Sequence, residues 1–534
     1  MVEAAITMIL MNGRVWTGNP AQPSAEAIAI DGDRIVAVGT TPDVRQLARH
    51  AATIDLAGAF VVPGFIDAHV HFVDGGFRLT SVQLRDAADR EEFVARIGAF
   101  AGTTPSGTWI TGGDWDHTLW GGELPRRDWI DAVTADHPVW VNRLDGHMAL
   151  ANSAALKAAG LTGSLAAVSG GEIVRDEARR PTGLFKDNAM EMVASRIPPP
   201  SAAMEDRALQ AAMQHVGAQG VTTIHNMGSW GDLQVFARAN GARRLGTRIY
   251  AAVPLATWSR LRDVVASKQF GAEGRGDVWL RIGALKGFMD GSLGSHTAAF
   301  HEPFADSPAD RGLFVNTPDD MFTWISGADK AGLHVIIHAI GDRANATVLD
   351  ILERVARENA PRDRRFRIEH AQHLAAADIP RFRSVGIVAS MQPYHAIDDG
   401  RWAETVIGPA RSRTTYAFRS LLDAGARLAF GSDWYVAPPT PLEGIYAAVT
   451  RRTLDGKHPD GWVPEQRITV EEALAAYTSG GAYASFEDGE KGIIAPGMLA
   501  DITVIDRDLR TIPASKIRNA KIVRTIVGGQ MVFQ

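Results

Sequence analysis

PGFIDAHVHF, residues 63–72, carries His69 and His71 two positions apart at the end of an apolar run. In an extended strand, side chains at i and i+2 leave the same face, so both imidazoles can reach one cation. The plain alternative is a pair of strand histidines with ordinary hydrogen-bond partners. Three further segments repeat the arrangement of an apolar run closed by a polar side chain. They are HVIIHAIGD (334–342) with His338, FRIEHAQH (366–373) with His370, and RLAFGSDW (427–434) with Asp433. Any one of these residues could be structural. Four histidines and an aspartate at strand C-termini match the way barrel enzymes gather catalytic groups from several strand ends.

Working outward, four more strand candidates complete a set of eight: VTTIHNM (221–227), TRIYAAV (247–253), LRIGALKGFMDG (280–291) and GIVASMQP (386–393). Amphipathic stretches such as ATVLDILERVAREN and TYAFRSLLDAGA lie between them, with apolar residues at helical spacing. Strands alternating with helices predict an α/β fold, a (β/α)8 TIM-like barrel. Thr469 and Glu472 in ITVEEALAAY form a capping-box pattern for one more helix after the eighth strand.

One interval is too long for a βα connection: about 150 residues separate the first strand from the second, which predicts an inserted subdomain over roughly 75–205. The ends of the chain read differently from the middle. ITMILMNGRVWTG, AIAIDGDRIVAVG and ATIDLAGAFVVPG are short β segments, with Gly32-Asp33 turning between two of them, and IIAPGMLADITVIDRDL and KIVRTIVGGQMVFQ repeat that character. Neither end is expected to complete a sheet alone, so the two together predict one small β-sandwich. The expected division is 1–63 and 489–534 for the sandwich and 64–488 for the barrel with its insertion.

Composition bounds the chemistry. The chain has 534 residues, 46% hydrophobic and 22% charged, with a net charge of −6, so it offers no basic footprint for nucleic acid or an anionic membrane. There is no cysteine, which excludes disulfides, thiolate ligands and a cysteine nucleophile and leaves N and O ligands for any metal. Imidazole and carboxylate suit zinc and similar divalent ions, whereas calcium wants clustered carboxylates. Glu3 stands where a signal peptide carries basic residues, and no segment approaches the about 20 apolar residues of a membrane span. The expectation is a cytoplasmic protein acting on small molecules. A homodimer is admitted, with nothing in the sequence to fix it.

Lys286, in ALKGFMDG, is a lysine inside an apolar strand. Burial disfavours its ammonium form and favours a neutral amine, which can take up carbon dioxide to give a carbamate able to bridge two cations. Pairing with Asp290 or another carboxylate is the alternative. Lys186, in GLFKDN, is a lesser rival because it falls in the insertion.

HxH on strand one, lysine on strand four, histidines on five and six and aspartate on eight resemble the binuclear branch of the amidohydrolase superfamily. The wording VVPGFIDAHVHF, KGFMDGSLGS, HAIGDRAN, RIEHAQH and FGSDW resembles its third large family, the YtcJ-like enzymes related to N-substituted formamide deformylase, over nearly the full length. The resemblance implies that His69, His71 and Asp433 bind one metal, that His338 and His370 bind the other, and that carboxylated Lys286 bridges them. It implies one or two zinc ions, with Asp433 as the base that takes a proton from the attacking water and passes it to the leaving nitrogen.

Further residues are candidates for contact with substrate. His147, with Asp145, lies in NRLDGHMALANS, a stretch that resembles a family motif. His225 ends strand two, and His296 follows the lysine strand in a glycine-rich loop. Among 13 tryptophans, most are expected in cores. Trp115 and Trp120 flank His117 in a glycine-rich loop, and Trp434 adjoins the presumed base; these are candidates to wall a pocket for an apolar or aromatic amide. His373 is read as a supporting or surface residue.

The expected reaction is hydrolysis of a non-peptide C–N bond in an N-substituted amide, formamide, carbamate or cyclic amide. Ester or lactone cleavage on the same site, metal-dependent isomerase or lyase chemistry, and a non-catalytic barrel that has lost its ligands are the rivals. The last is disfavoured because every expected ligand position is filled. No HExxH helix and no GxxxxGK[ST] loop are present.

Overall fold

The computed structural model describes residues 6–47, 51–144, 148–163, 165–168, 171–294 and 296–534. Eight parallel strands pair in sequence order: Phe65–Val70, Val221–Met227, Arg248–Pro254, Leu280–Phe288, His334–Ala339, Arg367–His370, Val388–Met391 and Arg427–Phe430. They are barrel strands 1 to 8. The eighth meets the first through a parallel bridge between Val70 and Trp434. Around that seam the Asp433 N–H donates to the His69 carbonyl (2.8 Å) and the His71 N–H to the Trp434 carbonyl (2.6 Å). Nearly every strand residue is buried, which is why the sequence shows apolar runs here in place of alternation. Helices cover the strands by burying one stripe. In Asp342–Glu358 that stripe includes Val348, Leu349, Leu352 and Val355. Thr469 and Glu472 form a reciprocal capping box on the helix Val470–Ala476.

The sandwich has two sheets around a common core that includes Leu10, Ile28, Val61, Ile502, Val504 and Ile526. Its six-stranded sheet joins both ends of the chain, with Ile502–Ile505 antiparallel to Phe60–Pro63. The four-stranded sheet corrects an expectation. It is made wholly of N-terminal strands, Met8–Met11, Ala27–Asp31, Arg34–Gly39 and Ala52–Asp55. The two-residue turn at Gly32-Asp33, with Gly32 at φ 56°, closes one hairpin tightly enough for this end to complete a sheet.

Barrel and sandwich form one compact unit, residues up to Phe72 and from Met213 onward. Arg248, at the start of barrel strand 3, makes a two-pronged pair with Asp501 (2.7 and 3.0 Å) that ties the N-terminal end of the barrel to the sandwich. The second unit, Val73–Ala212, carries its own six-stranded sheet and a core that includes Phe93, Ile97, Trp115, Trp129 and Val141. Among the described residues, no helix is long and apolar enough to cross a membrane.

Candidate metal centre

Barrel strands 1, 6 and 8 place His69, His370 and Asp433 together at their C-terminal ends. The Nε2 atoms of His69 and His71 each lie 3.3 Å from Asp433 Oδ1. His69 and Asp433 are buried, while the His71 side chain is 26% exposed and opens the cluster to solutes. Among the described residues, two groups bring three ligand atoms within 4.8 Å of one another: His69, His71 and Asp433, and His370, His395 and Asp433. Asp433 belongs to both.

The donor set suits a divalent cation. His69 Nδ1–H donates to Glu369 Oε2 at 2.6 Å, and His370 Nδ1–H donates to Gln392 Oε1 at 2.7 Å. Each bond fixes the tautomer and leaves Nε2 unprotonated, the way a metal-binding imidazole is held. Glu369 is held in turn by Arg367, which is completely buried. Its Nε donates to Glu369 Oε1 (2.9 Å), and the guanidinium also donates to the Ala68 carbonyl (2.6 Å), Ser390 Oγ (3.0 Å) and His225 Nδ1 (2.9 Å).

Electrostatics agree with that role. Burial, reinforced by Lys286, lowers the His69 imidazole to about 4, and burial with the neighbouring His338 keeps His370 well below its ordinary value, so both are neutral at pH 7, the form a metal would require. Burial would raise the Asp433 carboxyl, but His69, His71 and His370 outweigh it and hold it well below the usual range. Glu369 stays ionised for the same reason, with Arg367 and His69 overcoming its burial.

Lys286 lies in this cluster, its Nζ 3.5 Å from His69 Nε2. Burial lowers its amine to about 8. Asp290 is not its partner, because the Asp290 carboxylate accepts the N–H groups of Ala299, Ile340 and Gly341 (2.8, 2.9 and 2.8 Å) and fixes loops. Lys186 is taken by Glu172 at 2.7 Å.

A sequence profile described as the Amidohydrolase family matches residues 52–533. The chain belongs to the amidohydrolase family. It is 40% identical to Protein LONG AFTER FAR-RED 3 of Arabidopsis thaliana, over 98% of this chain and 91% of that one. With the N-substituted formamide deformylase of Arthrobacter pascens it shares 28% identity over 99% and 98% of the two chains. An uncharacterized metal-dependent hydrolase from Pyrococcus horikoshii superposes with a TM-score of 0.81 at 26% identity, covering 95% of this chain and 99% of that one. The protein is therefore an amidohydrolase-family hydrolase whose likeness extends over almost its whole length.

The other expected site residues of this amidohydrolase divide. His338 joins neither three-ligand group among the described residues. Its Nε2–H donates to the Gly291 carbonyl at 2.9 Å, although its ring centroid lies 4.6 Å from that of His370. Trp115 is corrected outright: it is wholly buried in the core of the second unit, packed edge-on against Phe93 with its indole N–H on the Val141 carbonyl (2.9 Å), and presents no surface to a substrate. Trp120 packs on the same Phe93, and its N–H donates to the Glu123 carbonyl (2.8 Å). His117 is half-buried beside Arg143, 3.3 Å from its Nε. His147 and Asp145 lie outside the described residues.

His225 does not line a pocket, because it is fully buried with Nδ1 occupied by Arg367 and its ring edge-on to Tyr250. His296 pairs with Asp306 (3.1 Å) and stands edge-on to Phe304, joining neither ligand group. Trp434 is buried, with His215 stacked on its ring (5.3 Å) and Phe72 against its edge. His373 is buried, not at the surface, and contacts Thr415 and Gln372. An apolar recess of about 170 Å³ does adjoin the cluster, lined by Met227, Leu255, Phe288 and Trp324 together with Lys286.

Arg367, Glu369, Gln392 and His395 are the residues that sequence reasoning passed over. Two charged side chains at i and i+2 within an otherwise apolar strand were a readable sign for the first two. His395 gave none, since it sits on the helix Pro393–Asp399 and not at a strand end.

Proposed function

We propose that this amidohydrolase cleaves a non-peptide C–N bond, in an N-substituted amide, formamide, carbamate or cyclic amide. The observation that supports the reading most is the shared Asp433, an ionised carboxylate beside His69 and His370, two neutral imidazoles whose Nδ1–H groups are each held by their own acceptor. The four histidines and one carboxylate of the two groups, with no thiolate, fit zinc among divalent ions. When bound, the cation supplies Lewis acidity, making water nucleophilic at neutral pH and polarising the substrate carbonyl.

Asp433 accepts the proton of the attacking water and delivers it to the nitrogen of the leaving amine, so the C–N bond breaks without expelling an amide anion. Glu369 and Gln392 keep the imidazoles in one orientation through this exchange. Lys286, with its amine at about 8, has a substantial neutral fraction near neutrality. That amine would add to carbon dioxide with loss of one proton, and the carbamate so formed would be an anionic ligand for a metal held by the cluster. The apolar recess beside Lys286 takes the substrate's apolar or aromatic substituent. The same reading makes the protein cytoplasmic, with a small-molecule substrate and neither nucleic acid nor membrane as partner.

The test is a panel of N-alkyl and N-aryl amides, formamides, carbamates and cyclic amides turned over in oxygen-18 water by zinc-replete enzyme. One labelled oxygen in the acid product is the expected result. Turnover without label points to isomerase or lyase chemistry, and label confined to esters and lactones removes the C–N assignment.

A further inference from the structure

The contacts behind His69 continue past Glu369 into the barrel interior. We infer that Arg367 and His225 are positioning residues for the metal centre: His225, Arg367 and Glu369 form a relay from barrel strand 2 through strand 6 that sets the orientation of the His69 imidazole on strand 1. The relay rests on the metal-centre reading above and extends it to two side chains that would touch neither metal nor substrate.

Three observations carry it. Arg367 is wholly buried, and its guanidinium donates to neighbours on strands 1, 2 and 7 as well as on its own strand: the Ala68 carbonyl (2.6 Å), His225 Nδ1 (2.9 Å), Ser390 Oγ (3.0 Å) and Glu369 Oε1 (2.9 Å). A rigid planar fork tied in so many directions has one orientation. Next, that one group holds His69 twice. It grips the backbone at Ala68, the residue before His69, and it grips Glu369 at Oε1, so that Oε2 is aimed at the His69 Nδ1–H (2.6 Å). Apolar side chains could pack this space without burying two charges, so stability alone does not call for the pair. Last, His225 is built to serve Arg367. A guanidinium only donates, so His225 Nδ1 is the acceptor and its proton sits on Nε2. That Nε2 is buried with no hydrogen-bond partner, and the ring stands edge-on to Tyr250. An imidazole left unpaired at one nitrogen is a costly filler for a core, and what it adds over an apolar side chain is the bond to Arg367.

The experiment measures zinc affinity by chelator competition in wild type, Arg367→Met, Glu369→Gln and the double variant, with urea unfolding on each. Arg367→Met should weaken zinc at the His69 position by about 10–100-fold. Because it acts largely through Glu369, the double variant should fall well short of the product of the two single losses. Unchanged zinc affinity in a folded, destabilised Arg367→Met, or single losses that multiply in full, makes Arg367 a structural residue and overturns the inference. His225→Asn and His225→Leu test the far end of the relay, and decide alone where Arg367→Met does not fold. Asparagine places an acceptor oxygen where Nδ1 stood and should keep the wild-type affinity. Leucine has no acceptor and should lose about 10-fold, the low end of what a supporting partner contributes. Equal affinities in these two variants overturn the inference and leave the metal centre standing. A wild type that binds no zinc removes the metal-centre reading itself.

Discussion

The two ends of the barrel both bury polar groups, and they do so in opposite ways. At the N-terminal end, Arg248 meets Asp501 through two bonds, donates to the Val278 carbonyl (3.0 Å), and Asp501 also accepts the Gly528 N–H (2.9 Å). Lys491 beside it pairs with Glu487 at 2.9 Å. The charges are matched by charges of this chain. At the C-terminal end, His69 and His370 are neutral, their Nδ1–H groups are tied down by Glu369 and Gln392, and His395 Nε2 beside them is shielded from solvent without a hydrogen-bond partner. Leaving such an atom unpaired costs about 1–3 kcal/mol in a protein interior. A buried cluster that satisfies itself is a fastening, whereas one that is organised and yet unsatisfied is a receptacle.

That contrast can be broken from either side. The largest effect should come from Asp433→Asn, which keeps the shape and removes the shared carboxylate. Turnover should fall by about 10²–10⁴-fold, with zinc content measured alongside, and wild-type turnover in a zinc-replete variant would dismiss Asp433 as the base. Next, Asp501→Asn strands Arg248 in the interior. Urea unfolding should show a loss of about 3–5 kcal/mol, with zinc affinity in the folded protein unchanged. If instead the zinc affinity moved and stability did not, the two ends would not be separable.

Glu369→Gln is smaller and touches the boundary between the two kinds of cluster. It should weaken zinc at the His69 position by about 10–100-fold, read by chelator competition, and leave the other position alone. The mildest effect concerns Lys286. Its lowered amine is protonated below about 8 and neutral above, so carbamate formation in metal-free protein should rise as pH increases through that value. Carbon-13 NMR with labelled bicarbonate between pH 7 and 9 reads it directly, and a flat or falling profile contradicts a lysine of this kind.

Much of the fold was legible because buried parallel strands have no polar face to interrupt them. FIDAHVHF and RLAFGSDW announce themselves as apolar runs, and the polar residue that ends each run marks the catalytic end of the barrel. The insertion was legible from length alone. Trp115 was misread for an equally physical reason: it neighbours glycines and a histidine, as a pocket residue does, but a large apolar ring inside a compact unit is the natural material for that unit's own core. His395 was invisible because no periodicity connects a histidine on a short helix to a strand end that is distant in sequence. Arg367 and Glu369 stood in plain view in RIEH, and only the fold explains why two charges belong inside it.

The seam of the barrel carries one more consequence. His69, His71 and Asp433 flank the place where the last strand closes on the first, and beside them Ser432 Oγ donates to Asp67 Oδ2 at 2.6 Å across 365 positions of chain. Closing so long a loop is the entropically slow step of such a topology. A cation held by His69, His71 and Asp433 would also be a rivet, holding the first and last staves of the cask together. Loading the centre should therefore slow unfolding from the seam, and the amide hydrogens of His71 and Asp433 should be among the first to exchange when the rivet is drawn.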